Sequence, residues 1–202
     1  MGATDTNAAR SGTRDAICDA ALVIIKDKGL STVSMRSIAQ RLGVSAMMPY
    51  NYYASKDELL LDLRLRLFHR FAGYIAAKLK ADEPLARLRE ACRAYVAYSR
   101  EQPEEYRLMF EAWSFEDLRS LRAKYPLDHF RSEEMWDVLR MCVEGCIPAG
   151  EAAVNSVTHL IWCQLHGLTS LHLAHKLVFG LAVDDLEAAV VKAVEAILLS
   201  AR

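Results

Sequence analysis

At 202 residues, with 52% apolar and 25% charged side chains, the chain has ordinary globular composition, enough for one large domain or two small ones. A formal net charge of −1 gives no sign of a strongly basic nucleic-acid binder, and no uncharged apolar run is long enough to suggest a membrane span. The five cysteines are odd in number and scattered behind no apolar leader, which reads as reduced thiols in a cytoplasmic protein.

Residues 1–12 have no periodicity and read as a flexible arm, with Arg10 and Arg14 in reach of DNA. From Thr13 to about Lys28 a helix is expected, with Ile17, Ala20, Ala21, Ile24 and Ile25 as its buried stripe. Within residues 1–56, Arg10, Arg14, Lys26, Lys28, Arg36, Arg41 and Lys56 outnumber Asp5, Asp15, Asp19 and Asp27, so a basic head precedes an acidic body.

The most informative stretch is Ser34 to Lys56. Met35, Ile38, Ala39 and Leu42 form one apolar stripe at helical spacing, and Ser34 precedes it as a natural N-cap. Gly43 can end that helix at positive φ, Val44 would plug the bend, and Ser45 can cap a second helix running to Tyr53. So short a bend between two helices, with glycine in it, is what a helix-turn-helix needs. The second helix would carry Ser45, Ala46, Met47, Met48, Tyr50, Asn51 and Tyr52. Tyr50, Tyr52 and Lys56 suit phosphates; Ala46, Met47 and Asn51 suit base edges. Ser34 and Arg36, at the start of the preceding helix, join them as candidate DNA contacts. A further helix starting near Ser55 would offer its N-terminal N–H groups and Lys56 as a phosphate seat.

These motifs, Gly43-Val44-Ser45, Tyr50, Tyr53, Ser55-Lys56 and Asp57-Glu58-Leu59-Leu60, resemble those of the TetR-type transcriptional regulators. Upstream, Ala16 to Lys28, Gly29 and Thr32-Val33 are similar to that family's first helix and its approach to the second. Two residues depart from the pattern: Pro49 stands where an aliphatic residue is usual, and Met47 where a small one is frequent. Proline in a first turn costs little, but deeper in a helix it removes a hydrogen bond.

Beyond Lys56 the chain reads as helical to its end. A short helix would run into a longer one up to about Ala81, and Asp82-Glu83-Pro84 is a stop and restart. Leu85 to Arg100 follows, with Leu88, Cys92, Tyr95 and Val96 on one face; then come Glu104 to Glu111, Phe115 to Lys124, and Leu127 to about Gly145. Two long apolar helices, Glu151 to Leu177 and Asp184 to Ala201, close the chain, making about nine or ten helices and no strand. Pro103, Tyr106 to Phe110, Trp162 and His166-Gly167 resemble a second motif set found in a subgroup of the same regulators.

The expected fold is all-α. Residues 13–71 would form a three-helix DNA-binding domain, with its helix-turn-helix at 34–53, and residues 72–202 a larger effector-binding and dimerisation domain. The resemblance implies a homodimer on a palindromic operator, a repressor released by a small lipophilic effector. Candidate dimer residues are Leu160, Leu168, Leu171, Val190, Val194, Ile197 and Leu198, from helices too apolar to leave in water. Candidate effector-pocket residues are Tyr74, Tyr95, Tyr98, Met109, Phe110, Trp113, Trp136, Trp162 and His166.

Other chemistries find little support. His172 and His175, or Cys142 and Cys146, share helix faces, yet their spacings match no closed zinc pattern, so no metal or cofactor is expected. No histidine follows a glutamate at the three-residue spacing of a di-iron site, and no phosphate loop or nucleophile elbow is present, so an enzyme is not expected. The competing reading is a helical ligand-binding or metal-sensing protein whose DNA binding is altered or lost.

Overall fold

The computed structural model describes the backbone of residues 3–111, 115–125, 134–148, 150–177 and 183–200. Side chains are described for all of these except 3–10, 115–116, 183–187, 190 and 200. Among the described residues every regular element is helical: α1 (Ala3–Lys28), α2 (Met35–Leu42), α3 (Lys56–Lys78), α4 (Pro84–Glu101), α5 (Pro103–Phe110), α6 (Phe115–Lys124), α7 (Glu134–Glu144), α8 (Glu151–Leu173) and α9 (Val183–Ser200). Short 3-10 turns cover Leu30–Thr32 and Met48–Asn51. No described helix is long and apolar enough to cross a membrane.

The chain forms two compact units. The first comprises Met1–Leu67 and Arg107–Phe130, the second Phe68–Tyr106 and Arg131–Arg202. In the first, the whole expected stripe of α1 (Ile17, Ala20, Ala21, Ile24, Ile25) is buried, with Met35, Ile38 and Ala39 of α2 and Leu59, Leu61 and Leu63 of α3. Each large aliphatic side chain so buried contributes about 1.5–3 kcal/mol, which is why helices of weak intrinsic stability persist here. In the second unit α8 packs against α4, α7 and α9. Leu88, Cys92, Tyr95 and Val96 of α4 are buried, as are Val154, Val157, Ile161 and Leu165 of α8.

Several boundaries differ from those expected. Helix α1 starts at Ala3 rather than Thr13, so residues 3–12 are helical in backbone and not a separate arm; Ala3, Ala8 and Ala9 are strong helix formers. Residues 56–78 form one helix, not two, since nothing in them breaks the ladder. Helix α8 ends at Leu173, short of Leu177, because His175 takes a left-handed φ of 53°. There the N–H groups of His175 and Lys176 return to the carbonyls of His172 and Leu171 at 3.0 and 2.9 Å, a Schellman closure without glycine.

Candidate functional site

The elements around the bend are set by local chemistry. Ser34 caps α2 by accepting the Ser37 N–H at 3.0 Å, and Ser37 Oγ in turn accepts the Ser34 N–H at 2.9 Å. This reciprocal box satisfies two orphan donors and fixes where α2 begins. Gly43 ends α2 at φ 69°, with the N–H groups of Gly43 and Val44 on the carbonyls of Gln40 and Ala39. Val44 does not plug the bend as expected: it is 38% exposed.

The second helix of the expected pair is replaced by a 3-10 turn, Met48–Asn51. The N–H groups of Met48, Tyr50 and Tyr52 bond three residues back, to Ser45, Met47 and Pro49, at 3.0–3.1 Å. Pro49 has no N–H to give the Ser45 carbonyl, so the first four-residue bond of an α-helix cannot form and the tighter spacing takes over. Pro49 and Tyr53 are buried and pin the turn from beneath. Ser45, Ala46, Met47, Tyr50 and Asn51 are exposed, and Met48 and Tyr52 are half-buried. Met47 at 67% and Tyr50 at 49% are large apolar surfaces held out in solvent, an arrangement typical of a contact surface. Ser34 and Arg36 are also exposed.

Beneath the turn lies a polar cluster that sequence reasoning missed. The Tyr53 hydroxyl donates to Asp62 Oδ2 at 2.6 Å, and the Cys18 thiol, 3.2 Å away, can then only donate to the Tyr53 oxygen. Asp62 is fully buried and also accepts from Arg14 Nε at 3.4 Å and Arg66 Nε at 3.1 Å. Arg66 pairs as well with Asp15, and the Arg14 guanidinium lies 4.4 Å from the centre of the Tyr53 ring. Burial pushes the Tyr53 phenol far above its ordinary range and the Cys18 thiol up to about 12, so both stay protonated donors. Burial alone would lower the pKa of Arg14, but Tyr53, Asp62 and Glu58 outweigh it and the net shift is upward. Asp62 thus joins α1, the end of the reading turn and α3 through one buried carboxylate.

The expected phosphate seat at the start of α3 is partly filled from within. Ser55 Oγ accepts the Glu58 N–H at 3.2 Å, and Glu58 reaches back to the Ala54 N–H at 2.6 Å. Ser55 also meets the Tyr125 hydroxyl at 3.0 Å. Lys56, half-buried, therefore sits beside the carboxylates of Asp57 and Glu58, which weaken any anion site there.

The expected pocket residues do not form one group. Met109 and Phe110 belong to the first unit; Tyr74, Tyr95, Tyr98, Trp136, Trp162 and His166 belong to the second; Trp113 lies outside the described residues. Within the second unit Tyr74, Tyr98 and Tyr95 form one aromatic run: Tyr74 meets Tyr98 edge-on at 5.2 Å, and Phe71 touches Tyr98 at 4.6 Å and Tyr95 at 5.1 Å. Tyr74 donates to Glu101 at 2.8 Å and lines an open groove of ≈ 250 Å³ with Lys78 and Arg93, and Tyr98 donates to the buried Glu105 at 2.7 Å. Trp136 lies against His159 with ring centres 4.0 Å apart. Beside Tyr95, His166 is sandwiched between the rings of Tyr106 and Trp162, at 5.8 and 5.3 Å. The Tyr106 hydroxyl shares a hydrogen bond with His166 Nδ1 at 2.7 Å and meets the Tyr95 hydroxyl at 3.1 Å, while Ser170 lies 3.4 Å from Nε2. Burial lowers the His166 pKa, so the imidazole is neutral at physiological pH. Tyr106 and Ser170 were not expected in this set, although the Tyr106 motif had already drawn attention to it.

Of the expected dimer residues, Leu160 is 52% and Leu171 43% exposed, and Leu168 and Ile197 are half-buried. Val194 and Leu198 are buried inside the protomer, because α9 turns them toward its own neighbours rather than outward. The side chain of Val190 lies outside the described residues. All five cysteines are free thiols, and only Cys163 is exposed.

Comparison with known proteins gives consistent results. A family model described as "Tetracyclin repressor-like, C-terminal domain" matches residues 88–197, and one described as "Bacterial regulatory proteins, tetR family" matches residues 17–63. The HTH-type transcriptional regulator BetI of Agrobacterium fabrum is 34% identical over 136 residues, 64% of this chain and 65% of that protein. The HTH-type transcriptional activator FasR of Mycolicibacterium smegmatis is 30% identical over 103 residues, 50% of this chain and 47% of that protein. The chain thus aligns with less than two thirds of the length of these curated relatives. Among solved structures, a transcriptional regulator from Rhodococcus sp. RHA1 superposes with a TM-score of 0.69 at 18% identity, covering 93% of this chain and 96% of that one. At that identity the likeness speaks for the fold alone.

Proposed function

Because the chain belongs to the tetR family of bacterial regulatory proteins, we propose that it is a sequence-specific, DNA-binding transcriptional regulator of the cytoplasm, a dimeric repressor released from a near-palindromic operator by a small lipophilic effector. The observation that carries this reading is the exposed face of the turn, Ser45, Ala46, Met47, Tyr50 and Asn51, held rigidly over buried Pro49 and Tyr53. Small Ser45 and Ala46 let backbone approach a groove, and Tyr50, Tyr52 and Lys56 hold phosphates while Met47 and Asn51 meet base edges. In this reading residues 13–71 are the reading head and 72–202 the body, with Arg107–Phe130 packing in the same unit as the head. Two heads related by a two-fold axis read two half-sites, with Leu160, Leu168 and Leu171 of α8 facing the second copy. Effector bound in the body favours a spacing of the heads that no longer fits the operator, which is coupling by differential affinity.

The test is enrichment from a pool of random duplexes by the purified protein. Recovery of one inverted repeat, lost on Asn51→Ala, supports the reading. A pool that stays random through successive rounds overturns it and favours the ligand-binding protein without DNA function.

A further inference from the structure

The turn offered to a base edge carries no charge. From Gly43 to Ser55 the chain has no Lys, Arg, Gln, His, Asp or Glu. Its hydrogen-bonding side chains are Ser45, Asn51, Ser55 and the three tyrosines; Tyr53 is buried on Asp62, and Ser55 is engaged by the Glu58 N–H and Tyr125. The backbone is largely used as well, since the carbonyls of Ser45, Met47 and Pro49 take the N–H groups of Met48, Tyr50, Tyr52 and Tyr53. The Asn51 amide, by contrast, is exposed and has no partner among the described residues. A 3-10 helix has three residues per turn and eclipses each residue with the third one on, so its side chains fall in three rows. Pro49 and Tyr52 make the row turned toward the core, Met47 and Tyr50 an exposed row, and Asn51 ends the row begun by half-buried Met48. An apolar row beside a single amide is therefore what the turn presents outward.

Given the regulator reading of this same face, on which this rests, we infer that each half-site is selected as A·T pairs, an adenine by Asn51 and a thymine methyl by Met47. In the major groove guanine is taken by Arg or Lys on O6 and N7, and the cytosine amino group by a carboxylate. Adenine is taken by an amide on N6 and N7, and thymine by apolar contact with its methyl. Only the second pair of side-chain types stands on the turn. The neighbouring cations are placed elsewhere. Arg41 is turned toward Asp27 of α1 at 3.9 Å, and Arg14 is drawn into the cluster at Asp62. Arg36 belongs to the helix that crosses the phosphate backbone in this motif, and Lys56 is half-buried beside Asp57 and Glu58.

The test takes the inverted repeat enriched from random duplexes by the full-length protein and alters single groups of its bases, one A·T pair of the half-site at a time. Deoxyuridine in place of thymidine removes only the methyl, and 7-deazadeoxyadenosine removes only the N7 acceptor. By fluorescence anisotropy, losing the contacted methyl should weaken binding about fourfold per half-site. Losing the contacted N7 should weaken it about fivefold, the equivalent of one hydrogen bond. Met47→Ala should bind the thymidine and deoxyuridine operators alike, and Asn51→Ala should be equally blind to the missing N7, at salt low enough for phosphate contacts to hold both variants. Both side chains are exposed, so neither variant should lower the Tm. An operator conserved only at G·C pairs, no response of the wild type to either base change, or responses that persist in the two variants would overturn the A·T readout and leave the regulator reading standing. A pool that enriches no sequence overturns both.

Discussion

Tyr53→Phe removes one oxygen from the centre of the cluster beneath the reading turn and leaves the ring, its packing and the Arg14 stacking in place. The lost bond is 2.6 Å long, fully buried, and made to a carboxylate. A hydrogen bond of this kind contributes about 2 kcal/mol, more than a neutral one because the acceptor is ionised. Asp62 keeps Arg66 at 3.1 Å and Arg14 at 3.4 Å, so its charge stays compensated, and the weak Cys18 thiol contact adds little. For a chain of this length the loss corresponds to a Tm lower by about 4–8 °C, read by circular dichroism. Asp62→Asn should cost more, about 3–5 kcal/mol, because it removes the buried carboxylate that two guanidinium groups share, leaving Arg66 with Asp15 and Arg14 with Glu58 at 3.9 Å. If Tyr53→Phe leaves Tm within about 1 °C of wild type, or costs more than Asp62→Asn, then the buried carboxylate is not the keystone argued here.

The two left-handed glycines should respond differently to asparagine. Gly43 at φ 69°, ψ 29° lies in the region asparagine tolerates, so Gly43→Asn should cost under about 1 kcal/mol; Gly29 at φ 85°, ψ 161° lies where only glycine is comfortable, and Gly29→Asn should cost about 1–3 kcal/mol in urea unfolding. Similar effects at the two positions would contradict this. His166 has a folded pKa below its ordinary 6.5, so its neutral form stabilises the fold above that pH, and the contribution is lost as pH falls through the folded value. Relative to His166→Gln, wild-type Tm should therefore decline between pH 7.5 and 5.5; a constant difference across that range would refute the assignment. Leu160→Glu with Leu171→Glu changes two exposed positions, so it should give a folded monomer in sedimentation velocity; an unchanged dimer would place the interface elsewhere.

What could be read in advance was what one residue type alone can do. Ser34 as a cap, Gly43 as a left-handed stop and the buried stripe of α1 each follow from local chemistry, and all are found. The turn at Met48–Asn51 stands where the Ser45 cap and the short glycine bend predict a helix; proline costs little in a first turn, but the missing N–H of Pro49 proves enough to set the tighter spacing. Asp62 was not legible: an aspartate in a Leu- and Arg-rich helix looks solvated, and its partner Arg14 is far away in the chain. The same holds for His175, since nothing in a histidine announces positive φ. Aromatic spacing marked Tyr95, Trp162 and His166, which do meet, but also Tyr74 and Trp136, which make other contacts. Apolarity made Leu160 and Leu198 look alike, whereas one is exposed and the other buried within the protomer.

Fluorescence anisotropy with duplexes tiled across the DNA flanking its own gene shows whether this chain reads a DNA sequence. At near-physiological salt, one fragment containing an inverted repeat should bind with a Kd of about 10⁻⁸ M or tighter, at least about a thousandfold tighter than its neighbours. Tyr50→Phe combined with Lys56→Ala should weaken all fragments alike and flatten the salt dependence, as loss of phosphate contacts requires. Equal, weak binding to the tiled fragments and to any sequence enriched from random duplexes would contradict the account.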